Sequence, residues 1–260
     1  MYQYHKDAYK NMVFQIRVAE QVIEIHSLCS AVYSISRDYV VPEDRYSIPD
    51  ISVHIIDKDI IKELTELRNV YARMNMSPPI IGEGYCESLA VFRKIADAMP
   101  AYDTFLMHGA AISKDNQAFI FSADSGVGKT TRAELWLKQY PDSFIINGDK
   151  PFIKVNDTEA LVCGTPWCGK EGWNRNVIVP LKAVFLLERA ENEPDQIEEA
   201  DFNEILPILF QQVHRPESIE NTIKTVELLT SLEGKAKFYK FRSNRSRDSI
   251  RTAFEITQQL

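Results

Sequence analysis

At 260 residues, with 45% hydrophobic and 26% charged side chains, the chain can bury one large core or two modest ones and has the composition of a globular rather than a disordered protein. A formal charge of −7 and a sequence pI near 5.4 argue against a nucleic-acid surface. No apolar run reaches the length of a membrane span, and the opening Met1-Tyr-Gln-Tyr-His-Lys-Asp7 lacks the apolar core of a signal peptide, so the expected location is the cytoplasm with no membrane partner.

From the N-terminus, Gln21 to His26 and Ile51 to Ile56 read as strands joined by polar segments, up to a loop over Met76 to Gly84. Residues 1–84 are thus expected to form a β-containing region, with no motif that assigns it a role. A second domain is expected over 85–260. Cys86 to Met99 has helical spacing at Leu89, Phe92, Ile95 and Ala96, with Pro100 as its stop. Thr104 to Ile112 reads as one buried strand and Gln117 to Ser122 as another. Thr130 to Tyr140 reads as a helix with Ala133, Leu135 and Leu137 inward, and Ser143 to Asp149 as a short apolar strand ending in an acid. Strands and helices alternate here, which predicts a mixed α/β fold with a smaller β-rich N-terminal part. Cys29, Cys86, Cys163 and Cys168 form no C-x-x-C pair, so neither a zinc site nor a redox motif is expected. The basic stretch Lys235 to Arg251 reads as a solvated strand edge and helix face.

The segment Phe121-Ser-Ala-Asp-Ser-Gly-Val-Gly-Lys-Thr-Thr131 lies between a strand and a helix, the context of a phosphate cradle. Gly126 and Gly128 can take positive backbone angles, letting the amides of Asp124, Ser125, Gly126, Val127, Gly128, Lys129, Thr130 and Thr131 converge on phosphate oxygens at a helix N-terminus. Lys129 would reach the β and γ phosphates of ATP. Thr130 would offer its hydroxyl to Mg²⁺, with Asp149 as the second metal anchor. Against G-x-x-x-x-G-K-[ST], Ala123 replaces the first glycine, which the loop tolerates if that position needs no positive φ.

His108-Gly109, the Ser122–Thr131 loop and Gly148-Asp149 resemble the nucleotide core shared by HPr kinase/phosphorylase and phosphoenolpyruvate carboxykinase; Pro180 to Glu188, Phe238 to Arg242 and a final helix from about Arg247 are similar to the closing elements of HPr kinase relatives. The resemblance spans about residues 100–260. It implies a carboxykinase-like, HPr-kinase-like fold, catalytic roles for Lys129, Asp149 and His108, and a homo-oligomer. Lys150 stands where the relatives carry a second aspartate, so the chain resembles a divergent relative and neither a true HPr kinase nor a carboxykinase. Cys163 to Asn176 crowds glycines with Trp167, Cys168, Lys170, Glu171, Trp173 and Arg175, and reads as a loop near the nucleotide, with Arg175 a further catalytic candidate. The leading expectation is an ATP-dependent kinase acting on a hydroxyl of a peptide, protein or small metabolite. Its competitors are an ATP-binding regulatory or scaffold protein with reduced turnover, and an NTP hydrolase.

Overall fold

The computed structural model describes residues 11–77, 80–124, 126–189, 195–243 and 248–258. Ser125 of the glycine-rich loop, Pro78 and Pro79 of the loop before the first long apolar helix, and Arg245 and Arg247 of the basic stretch lie outside them. The chain divides into two units, 1–98 and 99–260. The expected boundary stood at residue 85, but the helix that crosses it packs within the first unit.

In the first unit, β1 (Met12–Val18) and β2 (Gln21–Ser27) form an antiparallel hairpin, and β3 (Ile51–His54) adds to β2 in parallel, with α1 (Ser30–Ile35) lying between β2 and β3 in the chain. The hairpin turns on Ala19 and Glu20, both left-handed, the geometry that matches the twist of the strands it joins. α2 (Asp57–Arg73) and α3 (Glu83–Ala98) follow, and α3 packs on α1, α2 and β3. α2 was not expected from the pattern. Arg93 of α3 ties the two long helices by reaching Glu63 at 2.5 Å and Glu66 at 2.8 Å. Glu87, fully buried on α3, accepts the backbone N–H groups of Leu28 and Cys29. Burial nonetheless pushes its carboxyl above the usual range, against the pull of those two donors.

The second unit is built on a nine-stranded sheet of β4 (Thr104–Leu106), β5 (Ala110–Lys114), β6 (Gln117–Ser122), β7 (Phe144–Asn147), β8 (Phe152–Val155), β9 (Ala160–Cys163), β10 (Ile178–Arg189), β11 (Gln196–Glu199) and β12 (Lys237–Ser243). The helices are α4 (Lys129–Gln139), α5 (Phe202–Gln211), α6 (Ile219–Thr230) and α7 (Asp248–Gln258). β10 belongs to two ladders. Its first residues pair antiparallel with β9, which continues to β8 and β4, while its later residues run parallel to both β6 and β12.

Alternation along β6 sends successive side chains to two cores. Ala118 and Ile120 join Val184, Phe238 and the α5–α6 residues Ile205, Leu209, Leu228 and Leu229. Phe119 and Phe121 join Phe185, Phe241, Trp136 of α4 and Ile250 and Ala253 of α7. The buried stripe of α4 is Lys129, Arg132, Ala133 and Trp136 rather than the expected Leu135 and Leu137, which are only half-buried. The i, i+3/i+4 spacing that contains Ala133 selects Trp136 as its inward neighbour. Trp136 packs edge-on against Phe254 and tilted against Phe119.

The expected strand over Thr104 to Ile112 is two strands. β4 pairs with β8, whereas β5 pairs with β6 and β7, and the chain leaves the ladder at Met107–Gly109. A Cβ on Gly109 would lie 2.7 Å from Ile120 Cγ2 and 3.1 Å from the Phe121 carbonyl oxygen, so the crossing backbone needs a glycine there. β5 then returns to β6 through Asp115 and Asn116, both left-handed. Among the described residues, no helix is long and apolar enough to cross a membrane.

Candidate nucleotide site

The sheet register brings four strand ends to one edge. Phe121 near the end of β6 lies opposite Ala110 at the start of β5, Asn147 at the end of β7 lies opposite Ala111, and Ser122 lies beside Leu186 late in β10. The glycine-rich loop leaves β6 at this edge and runs directly into α4. Gly126 and Gly128 both have left-handed φ angles, +82° and +126°. Ala123 does not, so the departure from the glycine pattern introduces no strain there.

Lys129 is buried, and its Nζ donates to the carbonyl oxygens of Ala123 at 2.8 Å and Asp124 at 3.3 Å. Burial lowers its basicity, partly offset by the charges of Asp149 and Asp124, while the Lys150 charge adds to the lowering. Thr130 and Thr131 occupy the next positions of α4, both half-buried. Arg132 is buried behind them, donating to Ser249 Oγ at 3.0 Å and lying over the Phe241 ring.

Asp149 follows β7 across Gly148. Its Oδ1 is 3.2 Å from His108 Nε2 and its Oδ2 accepts from Lys150 Nζ. Burial is the largest influence on its carboxyl and works against the charge. The His108 hydrogen bond and the charge and hydrogen bond of Lys150 together overcome it and hold the group well below the usual carboxylate range. The turn is fixed from beneath by Asn147, fully buried, whose Oδ1 accepts the N–H groups of Asp149 at 2.9 Å and Lys150 at 2.6 Å. Asn147 Nδ2 in turn faces the Thr165 carbonyl, Thr165 Oγ1 and the Trp167 carbonyl. Thr165 Oγ1 donates to the Lys150 carbonyl at 2.9 Å.

His108, Lys129 and Asp149 are therefore brought together with the loop. Arg175 is not beside them: its guanidinium stacks on Phe144 at the start of β7, whereas Asp149 lies past the strand's end. The 163–176 loop does reach the site through Gly169, where a Cβ would lie 3.3 Å from Asp149 Cβ, and through Gly148 N–H, which donates to the Trp173 carbonyl. Trp167 is enclosed, leaving the half-buried Trp173 as the loop's available aromatic face. Lys170 is exposed and Glu171 half-buried. Burial raises the Cys168 thiol above its ordinary pKa, which disfavours a reactive thiolate.

Two further side chains meet the loop from far along the chain. Gln212 Nε2 donates to Asp124 Oδ1 at 3.0 Å, and the Gln212 backbone carbonyl accepts from the His108 backbone N–H at 2.7 Å. Arg189, at the end of β10, donates to the Gly126 carbonyl at 2.6 Å. Neither carries a sequence signal. Asn147 does: Asn-Gly-Asp marks a turn, and an Asn side chain commonly binds the backbone two residues on.

An oxygen ligand set of Thr130 and Asp149 suits a hard cation in kind. Here, however, both Asp149 oxygens face nitrogen donors, one an ammonium, so these residues do not fit an ion coordinated directly by Asp149. Among the described residues, no cluster of three or more His, Cys, Asp or Glu side chains is arranged to hold a metal ion.

No protein-family model matches the chain, and no curated protein matches it. Among solved structures, the chain is similar to the HPr(Ser) kinase/phosphatase from Coxiella burnetii, with 10% identity and a TM-score of 0.30 over 50% of this chain and 92% of that one. At that depth the likeness carries no chemistry to this chain.

Proposed function

We propose that the chain is an ATP-dependent phosphotransferase that moves the γ-phosphoryl group to a hydroxyl acceptor, a serine of a peptide or protein or a small hydroxyl metabolite. The observation that supports it best is the glycine cradle at the start of α4, with Lys129 folded onto the loop carbonyls and His108, Asp149 and Lys150 at the same sheet edge. In this reading the phosphates take the Lys129 ammonium from Ala123 and Asp124, and the loop amides and helix N-terminus hold the polyphosphate. Thr130 would be the residue to offer a hydroxyl to a Mg²⁺ brought by the nucleotide, which would supply charge neutralisation at the phosphates. The acceptor oxygen attacks the γ-phosphorus, the bond to the β-bridging oxygen breaks, and ADP leaves with the electron pair. His108, held at Nε2 by Asp149, takes the acceptor's proton on Nδ1. Such a reaction asks mainly for positioning and charge neutralisation. The fold is then a divergent version of the HPr-kinase-like nucleotide core.

The second reading is an ATP-binding regulatory protein with reduced turnover. The occupation of both Asp149 oxygens favours it. Calorimetric titration with ATP, beside Lys129→Ala, followed by γ-labelled ATP offered to serine peptides and hydroxyl metabolites, separates them. Lysine-dependent binding with label transferred establishes the kinase; binding without transfer favours the regulator; absence of binding refutes both.

A further inference from the structure

We infer that Lys150 is a built-in counter-cation of the nucleotide site, supplying by an ammonium the positive charge that a divalent ion on Asp149 would otherwise bring, so that the site takes a nucleoside triphosphate with little dependence on Mg²⁺. The inference rests on the nucleotide reading above and deepens it.

Four observations carry it. Lys150 Nζ contacts Asp149 Oδ2 directly while His108 Nε2 covers Oδ1, so the carboxylate meets the site with its charge already answered. The Lys150 backbone is clamped on both sides, its N–H by Asn147 Oδ1 at 2.6 Å and its carbonyl by Thr165 Oγ1 at 2.9 Å, which fixes the root of the side chain in a buried network. Its side chain stays about one-third exposed, at 34%, so the ammonium can meet an incoming anion without leaving Asp149. Lys129, whose own hydrogen bonds go to the Ala123 and Asp124 carbonyls, feels the charges of Asp149, Asp124 and Lys150, while of the two lysines Lys150 is the one in contact with the Asp149 carboxylate. Counting Lys129, Lys150, Asp149 and Asp124, the four charges cancel before any ligand enters, and without Lys150 the set would carry one net negative charge. A bare carboxylate at that place would repel the polyphosphate; the same carboxylate under an ammonium does not.

The test is calorimetric titration of the full chain with ATP in EDTA and again in excess MgCl₂, for the wild type, Lys150→Met, Lys150→Arg and Lys150→Asp, with a thermal melt to show that each variant is folded. The wild type and Lys150→Arg are expected to bind ATP in EDTA within about threefold of their affinity in Mg²⁺. Lys150→Met is expected to lose about tenfold or more in EDTA, the loss of one charge-assisted contact, and to recover in Mg²⁺. Lys150→Asp is expected to bind only in Mg²⁺. Wild-type binding that vanishes in EDTA, or a folded Lys150→Met that matches the wild type in EDTA, overturns the inference while leaving nucleotide binding in place. No binding by the wild type in either buffer overturns the nucleotide reading itself, and this inference with it.

Discussion

Replacing Gly109 by alanine isolates one steric demand of the fold at the point where it meets the site. Gly109 crosses from β4 to β5, and an added Cβ would stand 2.7 Å from Ile120 Cγ2, closer than such atoms approach, and 3.1 Å from the Phe121 carbonyl oxygen. Ile120 is fully buried and branched at Cβ, so its methyl cannot swing aside without moving β6 or the core against α5 and α6. Gly109 is not left-handed, so the cost is one of space rather than backbone conformation. Overpacking of this kind costs about 1–3 kcal/mol. For a unit of this size that corresponds to a fall in Tm of roughly 2–12 °C. Two other glycines calibrate the reasoning: at Gly148 a Cβ meets the Cys168 carbonyl at 3.1 Å, and at Gly82 it meets nothing within 4 Å. Differential scanning calorimetry of the three alanine variants should rank them Gly109 lowest, Gly148 next and Gly82 least changed. A Gly109→Ala melt within about 1 °C of the wild type would refute the argument, because it would show that the β6 core yields freely.

Asn147→Ala removes the acceptor of two backbone N–H groups and the donor to three oxygens in a fully buried position, and should cost at least about 3 kcal/mol in urea unfolding, given about 1–3 kcal/mol for each buried group left without a partner. Trp136→Ala opens the aromatic core between α4 and α7 and should cost about 3–5 kcal/mol by the same measurement. Asp149 is held ionised in the folded state, so its contribution is complete above the unfolded aspartate pKa of about 3.9 and is lost as pH falls through the lower folded value. The urea midpoint of the wild type should therefore fall more steeply below about pH 4 than that of Asp149→Asn; parallel profiles would mean that the contacts with His108 and Lys150 do not stabilise the fold.

The core of the candidate site is legible in the sequence because its signals are local. Gln117–Ser122, two glycines and a lysine at the start of a helix are contiguous, and β6 and α4 form where that pattern puts them, to within a residue. The break between β4 and β5 is not legible, because every residue from Phe105 to Ala111 is small or apolar except His108, and what forbids a continuous strand is a contact with Ile120 that only the fold creates. α2 escaped the periodicity because its apolar residues point both ways: Ile60 and Leu64 are buried while Ile61 and Val70 are exposed. Lys150 is visible in the sequence as a departure from a pattern, but its hold on Asp149, like the reach of Gln212 and Arg189 to the loop, is visible only once the chain is folded.

The double membership of β10 ties the order of synthesis to the completion of the site. Its later half is flanked by β6, some sixty residues earlier, and by β12, some fifty residues later, in parallel pairings that no hairpin can nucleate. On the ribosome, the strand that ends in the glycine-rich loop can be complete and paired to β5 while β10 still presents Val184, Phe185 and Leu186 on an open edge, waiting for β12 to emerge. That interval is when the nascent chain is most exposed to sticking to its neighbours, and a ribosome stalled within it would release a chain with the cradle made and its flank bare.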